Sequence, residues 1–146
     1  MRSILLIVFG FVCVSDALLG FGFEQTAAIK GRLMCNGRPA RDVVVKMYDK
    51  DLLFDSKMGE TKTDSDGYFS MVGKGREIST VDAKVNFYHN CENSMIRSVF
   101  ECPRKFSIYL PTKYISHSSN PELVYDFHQM ELAGRFPDES HDCLHR

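Results

Sequence analysis

The sequence predicts an all-β fold, an antiparallel β-sandwich of about seven to eight strands of the immunoglobulin-like kind. Two observations carry that reading. Short runs with a period of two recur along the chain, each closed by a turn signal. No stretch shows a helical period for longer than about two turns. Two apolar sheet faces must each be covered, and a second sheet covers the first.

The strongest pattern is Ala83 to Pro111. AKVNFYHNC and CPRKFSIYLP are two β-rich runs around a polar loop. Val85 and Phe87 alternate with Lys84, Asn86 and Tyr88; Phe106, Ile108 and Leu110 alternate with Lys105, Ser107 and Tyr109. This predicts a hairpin with a long loop.

The remaining elements follow in order. Leu18–Gln25 reads as loose. Thr26–Cys35 is a first strand, with Ala28, Lys30, Arg32 and Met34 on one face and Ile29 and Leu33 on the other. Asn36-Gly37 is a hairpin signal because both residues tolerate positive φ. Val43–Tyr48 is a second strand, with Val43, Val45 and Met47 inward and Lys46 toward water. Asp49–Asp55 is an acidic loop whose Leu52, Leu53 and Phe54 are expected to fold back as an apolar plug. Lys57–Lys62 is a short edge strand whose lysines discourage pairing with other chains. Thr63–Gly67 is a turn, Tyr68–Val72 a strand, and Gly73–Val81 a connection. Tyr114–Asn120 reads as loop, with a short helix allowed within 112–119. Leu123–Leu132 is the last long strand, and Ala133–Arg146 an irregular tail.

Arg2, the apolar run Ile4–Val14 and the small residues Ser15 and Ala17 read as a signal peptide cut after Ala17. That run is too short to span a bilayer, which needs ~20 apolar residues. The expected organisation is a leader at 1–17, a flexible segment at 18–26 and one domain at 27–146. The formal net charge is −1, and no basic block tracks a phosphate backbone, which argues against nucleic acid.

Loss of the leader removes Cys13 and leaves Cys35, Cys91, Cys102 and Cys143, an even set that fits an oxidising compartment. Three pairings are open. A hairpin brings Cys91 to Cys102, which favours that bond and leaves Cys35–Cys143. The spacings hold no Cys-x-x-Cys, so zinc is not expected.

The segments GRLMCNGRPARDVVVKMYDKD, GETKTDSDGYFSMVG, VDAKVNFYHNC, CPRKFSIYLPTKYI and MELAGRFPDESHDCL occur in this order. Together they closely resemble the nematode transthyretin-like family over residues 27–144. The resemblance implies a transthyretin-type (prealbumin-like) sandwich, secretion, and an extracellular or cell-surface location. It also implies a protein of mostly unknown ligand, in a family where one branch bridges phosphatidylserine to an engulfment receptor. The related hydroxyisourate hydrolases carry an N-terminal histidine motif and a C-terminal Tyr-Arg-Gly-Ser. This chain has its first histidine at His89 and ends His-Asp-Cys-Leu-His-Arg, so no catalytic set is expected.

The functional expectation is a non-enzymatic binding module for a small apolar ligand, a lipid or a cell-surface protein, acting through loops and one sheet face. No cofactor is implied. Lys84, Arg97, Arg104, Lys105 and Lys113 gather around the central hairpin as the candidate patch for a lipid phosphate or acidic partner. Glu139, His141, Asp142 and His145 offer metal-ligand chemistry in the tail, but a solvated tail anchored by Cys143 explains them. Asp49, Asp51 and Asp55, and the turn residues Asp64 and Asp66, lack the glycine-and-glutamate spacing of a calcium loop.

Overall fold

A computed structural model describes residues 22–92 and 102–144 of the chain. The expected leader at 1–17 and Arg97 lie outside those residues. Among the described residues, ten strands form two facing sheets and one 3-10 turn connects strands. β1 (Phe23–Cys35) is the long axis of the first sheet. It begins at Phe23, so residues 23–26, expected to be flexible, belong to the sheet.

One side of β1 is paired antiparallel by β5 (Tyr68–Glu77) and by the short β2 (Arg38–Pro39). Its other side takes β8 (Ile115–Ser116) and β9 (Val124–Glu131). β9 runs parallel to β1, the exception in an otherwise antiparallel pairing scheme. The second sheet has the order β10 (Ser140–His141), β7 (Arg104–Tyr109), β6 (Ala83–His89), β3 (Val44–Asp49), β4 (Ser56–Lys62). The expected Ala83–Pro111 hairpin is β6 against β7, and β4 is the expected edge strand. Thr112–Tyr114 forms a single 3-10 turn.

The turns follow from residue chemistry. Asn36 and Gly37 both have positive φ, 52° and 71°, and close the β1–β2 hairpin. In the 63–67 turn, Asp64 Oδ1 accepts from the N–H groups of Asp66 (2.9 Å) and Tyr68 (2.8 Å). Gly67 has φ 81° and lies against the Leu33 carbonyl, so the turn takes no side chain there.

Phe87 of β6 is the hub of the core. It stacks on Phe106 at 4.9 Å and meets Phe69 and Phe127 of the facing sheet edge-on at 5.8 and 5.2 Å. Ile29, Leu33, Val45, Met47 and Val85 fill around it, each at most 1% exposed. The tail is more ordered than its composition suggests, because Phe136 stacks on Phe106 and β10 pairs with β7.

Three expectations are corrected. The disulfides join Cys35 to Cys91 and Cys102 to Cys143, with Cα separations of 5.7 and 4.6 Å. Continuing the register would set Cys91 opposite Cys102, but the ladder ends at His89–Arg104, and each cysteine bonds an element outside the hairpin: Cys35 at the end of β1 and Cys143 just beyond β10. Lys46 is buried rather than wet. It lies along the outer sheet face, its ammonium 5.3 Å from the Tyr88 ring centroid and 3.8 Å from a Glu60 oxygen. Leu52, Leu53 and Phe54 do not plug the core but stand in solvent.

Candidate functional site

A cleft of about 720 Å³ opens beside the outer face of β5, β1 and β9 at the end marked by the 63–67 turn. Alternation on β1 sends Lys30 and Arg32 to this face while Ile29 and Leu33 go to the core. β5 adds Tyr68 and Ser70, β9 adds Asp126 and His128, and the end of β4 adds Thr61 and Lys62. Gly31 lies at the floor; a Cβ there would come within 2.9 Å of both Phe127 and Phe69.

The cleft is cationic because Lys30, Arg32 and Lys62 outnumber its two carboxylates, both of which are engaged. Asp64 caps the turn through its Oδ1. Asp126 Oδ1 accepts from the His128 N–H at 2.7 Å, and that bond above all holds its carboxyl below the usual range, helped by the charges of His128 and Lys30. Lys30 Nζ stands 3.5 Å from Asp126 Oδ2. The Arg32 guanidinium is held open by a bond to the Asp66 carbonyl (2.8 Å) and lies 4.9 Å over the Tyr68 ring. His128 has φ 55°, at the point where the β1–β9 register shifts, and this irregularity turns its ring into the cleft mouth.

Lys30 pairs with Ser70 on one side and Asp126 on the other, which sets those two strands about 9–10 Å apart. Ser70 of β5 and His128 of β9 thus stand on opposite flanks of β1.

Of the basic residues expected to form a patch, Lys84 and Lys105 line one hollow beside Tyr88, and each has a carboxylate partner. Lys84 contacts Asp55, and Lys105 lies 3.2 Å from Asp142. Lys113 sits 5.1 Å over the ring of Tyr114. Arg104 is buried and bound to Glu139. Of the tail metal candidates, Glu139 and Asp142 are therefore engaged, His141 is exposed, and His145 lies outside the described residues. Among the acidic-loop residues, Asp49 and Asp51 converge with Glu77, their oxygens within 4.8 Å of one another. Asp55 turns away to Lys84.

Comparison with known proteins settles the lineage. The sequence model of the Transthyretin-like family matches residues 30–111. Transthyretin-like protein 5 of Caenorhabditis elegans is 39% identical over 143 residues, 97% of this chain and 99% of that protein. The chain belongs to the transthyretin-like family. Two further relatives from the same nematode agree. Transthyretin-like protein 2 is 36% identical over 94% of this chain and 96% of its own. Transthyretin-like protein 33 is 35% identical over 85% of each. The names of these transthyretin-like relatives carry no activity, and among the described residues of this member no helix is long and apolar enough to cross a membrane.

The cleft of this transthyretin-like chain was only half visible in its sequence. Lys30 and Arg32 sit two apart on a strand face, which places them together. Their meeting with Lys62, Tyr68 and His128 depends on the parallel docking of β9 and on the β4–β5 corner, which no local pattern announces.

Proposed function

We propose that the protein is a secreted, non-enzymatic binding module whose β5–β1–β9 cleft takes an anionic group, a carboxylate or a phosphate. One observation carries this reading: Lys30, Arg32, Lys62 and His128 surround a concavity whose own two carboxylates are occupied in turn bonds. An aromatic face, Tyr68, and a hydroxyl, Ser70, complete a set suited to orienting a compact anion. The cleft's charged lining favours such an anion over a small apolar ligand, one of the three partner classes the sequence suggests. The expected leader and the two disulfides support export, since such bonds persist in oxidising compartments.

The anion belongs to a small ligand, a lipid head group or a cell-surface partner, and one experiment separates these. Vesicle flotation with phosphatidylcholine and with phosphatidylserine is run beside calorimetry with inorganic phosphate and a short dicarboxylate. Recovery with phosphatidylserine alone, lost in Lys30→Ala/Arg32→Ala, assigns a head group. Heat with soluble anions and no flotation assigns a small ligand. Native mass spectrometry of the exported protein then identifies what co-purifies. Indifference to every anion, in the native chain and the double variant alike, overturns the reading.

A further inference from the structure

Leu52, Leu53 and Phe54 stand in solvent at the end of the sandwich away from the cleft, 105%, 85% and 82% exposed. β5 runs from Tyr68 beside the cleft to Glu77 beside this end, about 30 Å. Three consecutive large apolar side chains held outward form a patch that a monomer seldom leaves without a partner.

The loop is held in this state from its base. Ser56 Oγ donates to Asp51 Oδ2 at 3.3 Å, and Asp55 contacts Lys84 of β6. Between these anchors the apolar residues have nowhere to turn but out. The facing wall, the β5–β6 connection, is also fixed. Buried Gln25 donates to the carbonyls of Glu77 (3.3 Å) and Ser79 (2.6 Å) and accepts from the Val81 N–H (2.9 Å). The two walls are tied together as Asp82 N–H donates to Asp49 Oδ1 at 2.9 Å and Lys50 N–H to the Asp82 carbonyl at 3.0 Å.

Between the walls lies a groove of about 680 Å³. Its apolar side is Leu52–Phe54; its other lining groups include the carboxylates of Asp49, Asp51, Glu77 and Asp82, with Lys50 as the one cation. Burial first raises the carboxyl pKa of both Asp49 and Glu77; the Asp82 N–H bond opposes it at Asp49, and the charge of Asp51 adds to it at both. On the groove side the apolar ledge thus adjoins negative charge in excess; on its other side Leu53 and Phe54 border Lys84 and Lys105, which are paired with Asp55 and Asp142.

We propose that this groove docks an amphipathic polypeptide segment bearing lysine or arginine, its apolar side on Leu53 and Phe54 and its cations on Asp51 and Glu77. The sign of the charge selects the occupant. An anionic bilayer or an acidic segment is repelled, and a neutral lipid surface leaves the carboxylates without a counter-charge. Fixed walls reduce the ordering cost of binding. The groove shares no residue with the cleft, so the two sites fail or stand separately.

Calorimetry on the whole exported chain tests the proposal with a helical Leu/Lys peptide, a Leu/Glu peptide of the same apolar face, and phosphatidylcholine vesicles. The Leu/Lys peptide binds, and binding weakens with added salt. Phe54→Ser and Leu53→Ser each weaken it by about tenfold or more, as loss of an interface anchor does. Asp51→Asn weakens it by about threefold and flattens the salt dependence. Leu53 and Phe54 are exposed, and asparagine at 51 keeps an oxygen for the Ser56 hydroxyl, so circular dichroism and melting temperature stay unchanged. Equal affinity for the Leu/Glu peptide, undiminished binding by Phe54→Ser, or binding to neutral vesicles without binding to Leu/Lys overturns the proposal.

Discussion

Arg104 holds Glu139 with two parallel bonds, Nε to Oε1 at 2.7 Å and Nη2 to Oε2 at 2.8 Å. The same guanidinium donates to the carbonyls of Cys91 (3.0 Å) and Gly134 (2.7 Å). One buried side chain thus joins β7, the disulfide end of β6 and the C-terminal tail. Removing one partner of such a pair leaves the other charged and buried. Arg104→Ala should therefore lose about 3–5 kcal/mol of stability. Arg104→Lys keeps the charge without the fork and should fall between it and the native protein. Urea unfolding of the three proteins checks this order; an Arg104→Ala midpoint equal to the native one would refute it.

His89 faces the same cluster. Its Nδ1 accepts from the Cys91 N–H at 3.2 Å, and its Nε2 is buried with no hydrogen-bond partner among the described residues. Phe106 lies edge-on at 5.8 Å. Burial first, and the Arg104 charge second, lower its pKa from 6.5 to about 4, against the opposing pull of Glu139. The folded pKa lies below the unfolded one, so the unfolded chain takes the proton first. Stability is full above about 6.5, falls as pH drops toward 4, and levels below it. The whole loss amounts to about 3 kcal/mol. Glu139, held below its ordinary range by the Arg104 bonds, adds a second loss at lower pH as its carboxylate is protonated. His89→Phe should abolish the slope between pH 6.5 and 4 and leave the acid limb. Urea midpoints across that range read both.

The disulfides make a third prediction. Non-reducing digestion should yield one peptide pair joining Cys35 to Cys91 and another joining Cys102 to Cys143. Closing a loop of 56 or 41 residues removes chain entropy from the unfolded state, worth about 4 kcal/mol in each case. Cys35→Ala/Cys91→Ala should therefore melt well below the native protein. A Cys91–Cys102 peptide would show that the hairpin, not the sheet edges, determines the pairing.

Local chemistry made much of the fold readable. Alternation in Lys84–His89 and Arg104–Tyr109 specified which residues face the core, and Asn36-Gly37 and Asp64–Gly67 marked their turns. Long-range placement was not readable. The parallel register of β9 on β1 brings His128 to Arg32, and nothing near either residue encodes that. The Leu52–Phe54 loop was misjudged because hydrophobicity alone sends such a run inward. The ties of Asp51 to Ser56 and Asp55 to Lys84, visible only in three dimensions, hold it outward. The basic residues around the hairpin read as one patch because their signs agree. In the fold, Lys84, Arg104 and Lys105 each find a carboxylate.

The central claim is that the cationic cleft receives an anion. Nitrogen-15 NMR titration of the exported protein with inorganic phosphate, and with a short dicarboxylate, tests it residue by residue. The amide shifts of Lys30, Arg32, Lys62 and His128 should move together and saturate, with those of Leu52–Phe54 unmoved. Saturable shifts that map elsewhere, or none in the cleft with either anion, would contradict the account.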